Sequence, residues 1–195
     1  MTISTVKTLC LHLDFDRRCS AAKTNDPSYE TTLELDSHAD TCVIGRHALI
    51  ILDHNRPVTV VGYDESLGSK TYKTVSGVVA YTDPKTGRTL HLVIHQAIHV
   101  PHLDHHLLCP MQCRVNDVIV DETPKFLATR PTDQTHALTV PDPDDPSQTL
   151  TLPLSLRGVT SLLHVRNVTA DDFYNDEIPR IDLTSETLTW DPSTT

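Results

Sequence analysis

Apolar and polar residues alternate with a period of two through much of this chain, and that period belongs to strands. Leu9, Leu11, Leu13 and Phe15 alternate within residues 3–15 and predict a strand. Residues 16–30 are polar, with Asn25, Asp26, Pro27 and Ser28, and read as a linker. Leu33 and Leu35 flank Glu34 and begin another strand; it breaks into a polar loop and returns to apolar residues at Cys42, Val43 and Ile44. Residues 46–52 fit a helical turn or a strand equally. Residues 53–57 read as a turn, 58–61 as a β-branched strand, and 62–69 as a polar segment with two glycines. Residues 71–82 and 89–100 alternate as long strands around a strong turn at 83–88. Pro110 opens the one short helix, residues 110–116, and Val118, Ile119 and Val120 follow as a strand. Many short strands between Gly, Pro and Asp turns predict an all-β barrel or sandwich.

The pattern also divides the chain. Residues 1–29 form an N-terminal strand and linker, and residues 30–122 a central β domain. Residues 123–195 form a Pro/Asp-rich extension. Within the extension, residues 123–150 carry five prolines and the acidic Asp142, Asp144 and Asp145, and read as a loop-rich connector. Residues 149–168 regain strand character and could add a hairpin, and residues 170–195 read as an acidic, mobile tail.

Charge narrows the partners. The chain has 195 residues, a formal charge of −10 and a pI near 5.5, which argues against a nucleic-acid surface or an anionic membrane. Five cysteines, odd in number and irregularly spaced, with no long apolar leader before them, read as reduced thiols in a cytoplasmic or nuclear, not secreted, protein. No run reaches the ~18 apolar residues of a membrane span.

The chemistry concentrates at Asp36-Ser37-His38-Ala39-Asp40-Thr41, a carboxylate at the end of a strand followed by a hydroxyl in a tight loop. This stretch resembles the active-site loop of retropepsin-type aspartic proteases, which reads hydrophobic-Asp-Ser/Thr-Gly-Ala-Asp/Ser. Asp36, Ser37, Ala39 and Asp40 match, and His38 stands where the family has Gly. About 65 residues on, residues 97–112 (including Val100, Pro101, Leu103, Leu107 and Leu108) are similar to the end of the protease region in copia-type retrotransposon polyproteins. Together the two motifs cover roughly residues 30–122.

The resemblance implies a retropepsin-like barrel and an aspartic endopeptidase that processes its parent polyprotein without a cofactor. Such a reaction needs two carboxylates sharing a proton, one as base and one as acid. One loop per chain supplies one, so the resemblance implies a homodimer in which Asp36 is contributed twice. Ser37 would then fix the loop across the two-fold axis, and Asp40 would contact substrate main chain or an inter-subunit arginine. The substrate would be an extended polypeptide. Gly62, Tyr63 and Gly68 are candidates for the tip of a flap over the site, with the turn at 83–88 as the competitor.

Simpler readings stand beside these. Asp36 and Ser37 could form only an Asx or Ser/Thr turn. An imidazole at His38 adds bulk beside the dyad, so a catalytically inactive retropepsin-like module that dimerises or binds peptide is the alternative function. A metal-dependent module is the third. His91, His95 and His99 lie on one strand, four residues and roughly 13 Å apart, and cannot share an ion. His102, His105, His106, Cys109 and Cys113 have zinc-ligand chemistry but match no common spacing, so no metal is expected.

Overall fold

The computed structural model describes residues 5–7 (backbone alone), 30–61, 68–175 and 177–193. In chain order the elements are β1 (Thr5–Lys7), β2 (Glu30–Leu35), β3 (Val43–Ile44), β4 (Leu49–Val61), β5 (Ser69–Thr82), β6 (Thr89–His99), β7 (His106–Leu108), α1 (Pro110–Arg114), β8 (Ile119–Asp121), β9 (Ala137–Pro141), β10 (Thr149–Pro153), β11 (Ser155–Arg157), β12 (Thr160–Arg166), α2 (Ala170–Phe173) and β13 (Arg180–Asp182). The described chain is mostly strand, as the period-two alternation predicts. No helix among the described residues is long and apolar enough to cross a membrane.

Ten strands share one sheet in the order β1-β4-β5-β12-β2-β7-β3-β6-β13, with β11 paired to β12 and β6 also paired to β5. The pairing path therefore runs from β5 through β12, β2, β7 and β3 to β6 and back to β5. A second sheet contains β10, β9 and β8. Alternation accounts for the burial of β2: Thr31, Leu33 and Leu35 turn inward while Thr32 and Glu34 stay partly exposed. Leu33 and Leu35 join a core that includes Val79, Leu92, Ile94, Leu108 and Leu163.

The structure departs from the sequence reading in four places. Residues 53–57, expected as a turn, lie inside β4. Asp53 Oδ1 accepts the Asn55 amide at 2.9 Å and Asn55 takes φ of 53°, so the local polar bond makes a bulge. Pairing to β5 resumes on both sides of it. The Pro-rich connector contains β9, whose Ala137, Leu138, Thr139 and Val140 are all buried. Among the described residues there are two short helices, not one. The second, α2, carries a capping box in which the Thr169 side chain accepts the Asp172 amide and the Asp172 side chain accepts the Thr169 amide. The described part of residues 170–195, expected as a mobile tail, is anchored by buried Ile181, Leu183 and Trp190. Of the strand expected over 3–15, only β1 falls among the described residues.

Candidate functional site

β2 delivers Asp36 to the end of a buried strand, and two bonds fix how the chain leaves it. Asp36 Oδ1 accepts the His38 amide at 2.9 Å, and the Asp36 carbonyl accepts the Ala39 amide at 3.2 Å. This is the local Asx turn that the residue types allow. Ala39 then turns inward, 4% exposed, among Val43, Val58, Ile98, Val100 and Leu107, and anchors the loop from beneath. The Asp36 side chain keeps 16% of its surface exposed, so it is held yet reachable. Ser37 and His38 are exposed. The His38 side chain is 77% exposed, with Nδ1 3.9 Å from Asp36 Oδ1.

The two sequence motifs meet here. β7 lies between β2 and β3, parallel to the first and antiparallel to the second. The Asp36 amide donates to the Leu108 carbonyl at 3.1 Å. The Cys42 amide donates to Gln112 Oε1 at 2.9 Å, and the Cys109 amide donates to Cys42 Sγ at 3.2 Å. α1, started by Pro110, thus clamps the far end of the loop. Gly45 is required by close approach: a Cβ there would sit 2.4 Å from the His105 carbonyl oxygen.

Asp40 differs from Asp36. Burial pushes its carboxyl up to about 6, against a lowering hydrogen bond from the Thr41 side chain, and its Oδ1 is buried without a hydrogen-bond partner. Thr41 is itself buried, and its Oγ1 accepts from Trp190 Nε1 at 3.2 Å.

Of the flap candidates, Gly62 and Tyr63 lie outside the described residues. Gly68 takes φ of 68° in open space, next to the Val61–Ser69 pair that ends the β4–β5 ladder. The competing turn at 83–88 is tied down, because Arg88 binds Asp142 at 3.1 Å and Asp144 at 2.5 Å.

The His/Cys group splits between surface and core. His102 is exposed and His105 half-buried. His106 is fully buried, and its Nδ1 accepts the Gly45 amide at 3.1 Å. Burial drives its pKa down to about 3, so it stays neutral. Cys109 and Cys113 sit in the core beside Cys42, and burial pushes the Cys109 thiol up to about 12 and Cys42 well above its ordinary value. Thiols held protonated are poor nucleophiles and poor ligands. Among the described residues no group of three His, Cys, Asp or Glu is arranged to hold a metal ion.

Sequence reasoning missed Gln112 as a clamp on the loop and Trp190 as a neighbour of it. Gln112 lies inside the second motif, where a buried amide beside a helix start is a usable signal. Trp190 is the chain's single tryptophan, in a segment whose acidic composition hides it. No family model, curated protein or solved structure matches the chain.

Proposed function

We propose that the chain is a retropepsin-like aspartic endopeptidase of the copia retrotransposon type, cleaving extended polyprotein segments with a dyad of two Asp36 carboxylates across a homodimer. The observation that carries the reading is the meeting of the two motifs. Asp36, at the mouth of a strand, is bonded through its own amide to Leu108 of the distant second motif. A carboxylate presented on a rigid loop, with its exit turn closed by its own oxygen, suits a group that must hold a proton and a water in fixed geometry. The 83–88 turn, tied by Arg88 to Asp142 and Asp144, is the poorer flap candidate.

The mechanism follows from pairing. Two adjacent carboxylates share one proton; the ionised one takes a proton from water as that water adds to the peptide carbonyl, and the protonated one donates to the carbonyl oxygen, giving a gem-diol. Its collapse breaks the C–N bond as the proton taken from water passes to the leaving amine nitrogen and a gem-diol hydroxyl proton returns to the other carboxylate. The test is cleavage of a library of extended peptides by the wild type and Asp36→Asn. The variant is expected to lose kcat/KM by a factor on the order of 10² to 10⁴. Equal activity in the two proteins sinks the mechanism.

One observation favours the alternative of an inactive dimerisation or peptide-binding module: the His38 imidazole stands beside Asp36, where a glycine would leave space. Cleavage appearing only in His38→Gly would identify that imidazole as the silencing element.

A further inference from the structure

The C-terminal segment beyond β13 runs along β6 and reaches the candidate loop. β6 carries a bulge, because its pairing to β5 jumps between Ile94 and Ala97 and leaves His95 and Gln96 out of register. Gln96 takes φ of 54°, a left-handed conformation uncommon for a residue with a side chain. The C-terminal segment bonds the bulge at both of its residues. Thr184 Oγ1 accepts the His95 amide at 2.7 Å and donates to the His95 carbonyl at 2.8 Å. Gln96 Nε2 donates to the carbonyls of Ser185 and Leu188, and Gln96 Oε1 accepts the Trp190 amide at 2.9 Å.

The segment ends on the loop itself. Trp190 is 7% exposed, and its indole N–H donates to the Asp40 carbonyl at 2.9 Å and to Thr41 Oγ1 at 3.2 Å. The loop is thus gripped from two sides, by Gln112 at the Cys42 amide and by Trp190 at Asp40 and Thr41. Gln112 Nε2 also donates to the His95 carbonyl at 3.2 Å, so both grips run back to the same bulge. A cavity of only ≈ 20 Å³, lined in part by Thr41, Thr74, Gln96 and Trp190, lies beside the Trp190 grip. That is room for about one water and no ligand.

We propose that residues 184–190 are a strap that positions the Asp36 loop, with Trp190 as its terminal anchor and the β6 bulge as its seat. The kinetic consequence rests on the endopeptidase reading; the structural one does not. Trp190 touches no reacting atom in this scheme and is a positioning residue. Its indole N–H satisfies the Asp40 carbonyl and the Thr41 hydroxyl, and so fixes the backbone that follows Asp36.

The test compares the full chain with Trp190→Phe, which keeps an aromatic ring and removes the N–H. Amide hydrogen exchange at Ala39 and Cys42 is expected to speed up at least tenfold, with exchange in β2 and β7 unchanged. Where the wild type cleaves peptide, kcat is expected to fall with KM nearly unchanged. Unchanged exchange at both amides overturns the strap, whatever the activity. If the wild type cleaves nothing, the endopeptidase reading fails while the exchange still decides the strap. Should Trp190→Phe not fold, Gln96→Met removes the seat and leaves the tryptophan as reporter. Its emission is then expected to shift to the red as the indole leaves the core, and an unshifted emission overturns the proposal.

Discussion

Gly45 and Asp40 show how single residues set the candidate loop. A Cβ at Gly45 would meet two backbone oxygens, those of His105 at 2.4 Å and Leu103 at 2.5 Å, and backbone cannot rotate away. At Gly77 the nearest atom to an added Cβ is the Ile44 Cδ1 at 2.6 Å, a side-chain tip that can move. Gly45→Ala is therefore expected to cost about 1–3 kcal/mol, by overpacking, and more than Gly77→Ala. Denaturant midpoints of the two variants measure the difference, and a larger loss at Gly77 refutes the assignment. Asp40 carries a pH dependence. Its carboxyl is raised from 3.8 to about 6, so the folded state holds the proton more tightly than the unfolded chain. The sign follows: this contribution to stability is complete below 3.8 and is lost as pH rises through about 6. Asp40→Asn is expected to flatten that part of the stability–pH curve relative to wild type. Parallel curves for the two proteins exclude Asp40 as the source.

At the scale of elements, β12 ties the extension to β2, the strand that leads into Asp36. It pairs antiparallel with β2 through Leu162↔Glu34, Leu163↔Leu33 and Val165↔Thr31, and touches β5 through Arg166↔Ala80. Arg157 of β11 adds an ion pair to Glu34. Leu163 is 1% exposed, while Val159 at the β11–β12 turn is 98% exposed. Leu163→Ala is expected to cost about 2–5 kcal/mol, by lost burial and the cavity it leaves. Val159→Ala is expected to stay within about 0.5 kcal/mol. Urea titrations of the two variants test this, and near-equal costs would mean β12 is peripheral.

For the whole molecule, the proposed dyad would require two chains, and each carries a formal charge of −10. Like charge opposes assembly at long range, and salt screens it. Sedimentation is expected to show dimer at micromolar concentration, with association tightening as salt is raised. Monomer at every salt concentration, with Asp36 open to solvent, removes the proposed active site and leaves a peptide-binding or interaction module.

Much of this was legible in the sequence because it is local. Period-two alternation in residues 71–82 and 89–100 marked β5 and β6, Asp83 and Gly87 marked the turn between them, and Pro110 marked the start of α1. Asp36 followed by Ser37 marked a polar turn at a strand end for the same reason: a side chain bonding its own backbone two residues on needs no other part of the chain. Partnership between distant segments was not legible. The carbonyl that receives the Asp36 amide belongs to Leu108, and nothing local to either residue records that bond. Composition misled where few residues did the anchoring. An acidic segment reads as solvated on its average, yet Ile181, Leu183 and Trp190 hold it down, because burial acts on individual side chains and averages do not see which neighbours they find. The sequence by itself determined the strands, the turns and the candidate carboxylate. Only the tertiary structure decided that β12 would border β2 and that Trp190 would close on the loop, since hydrophobic burial and hydrogen-bond satisfaction choose partners across the whole chain.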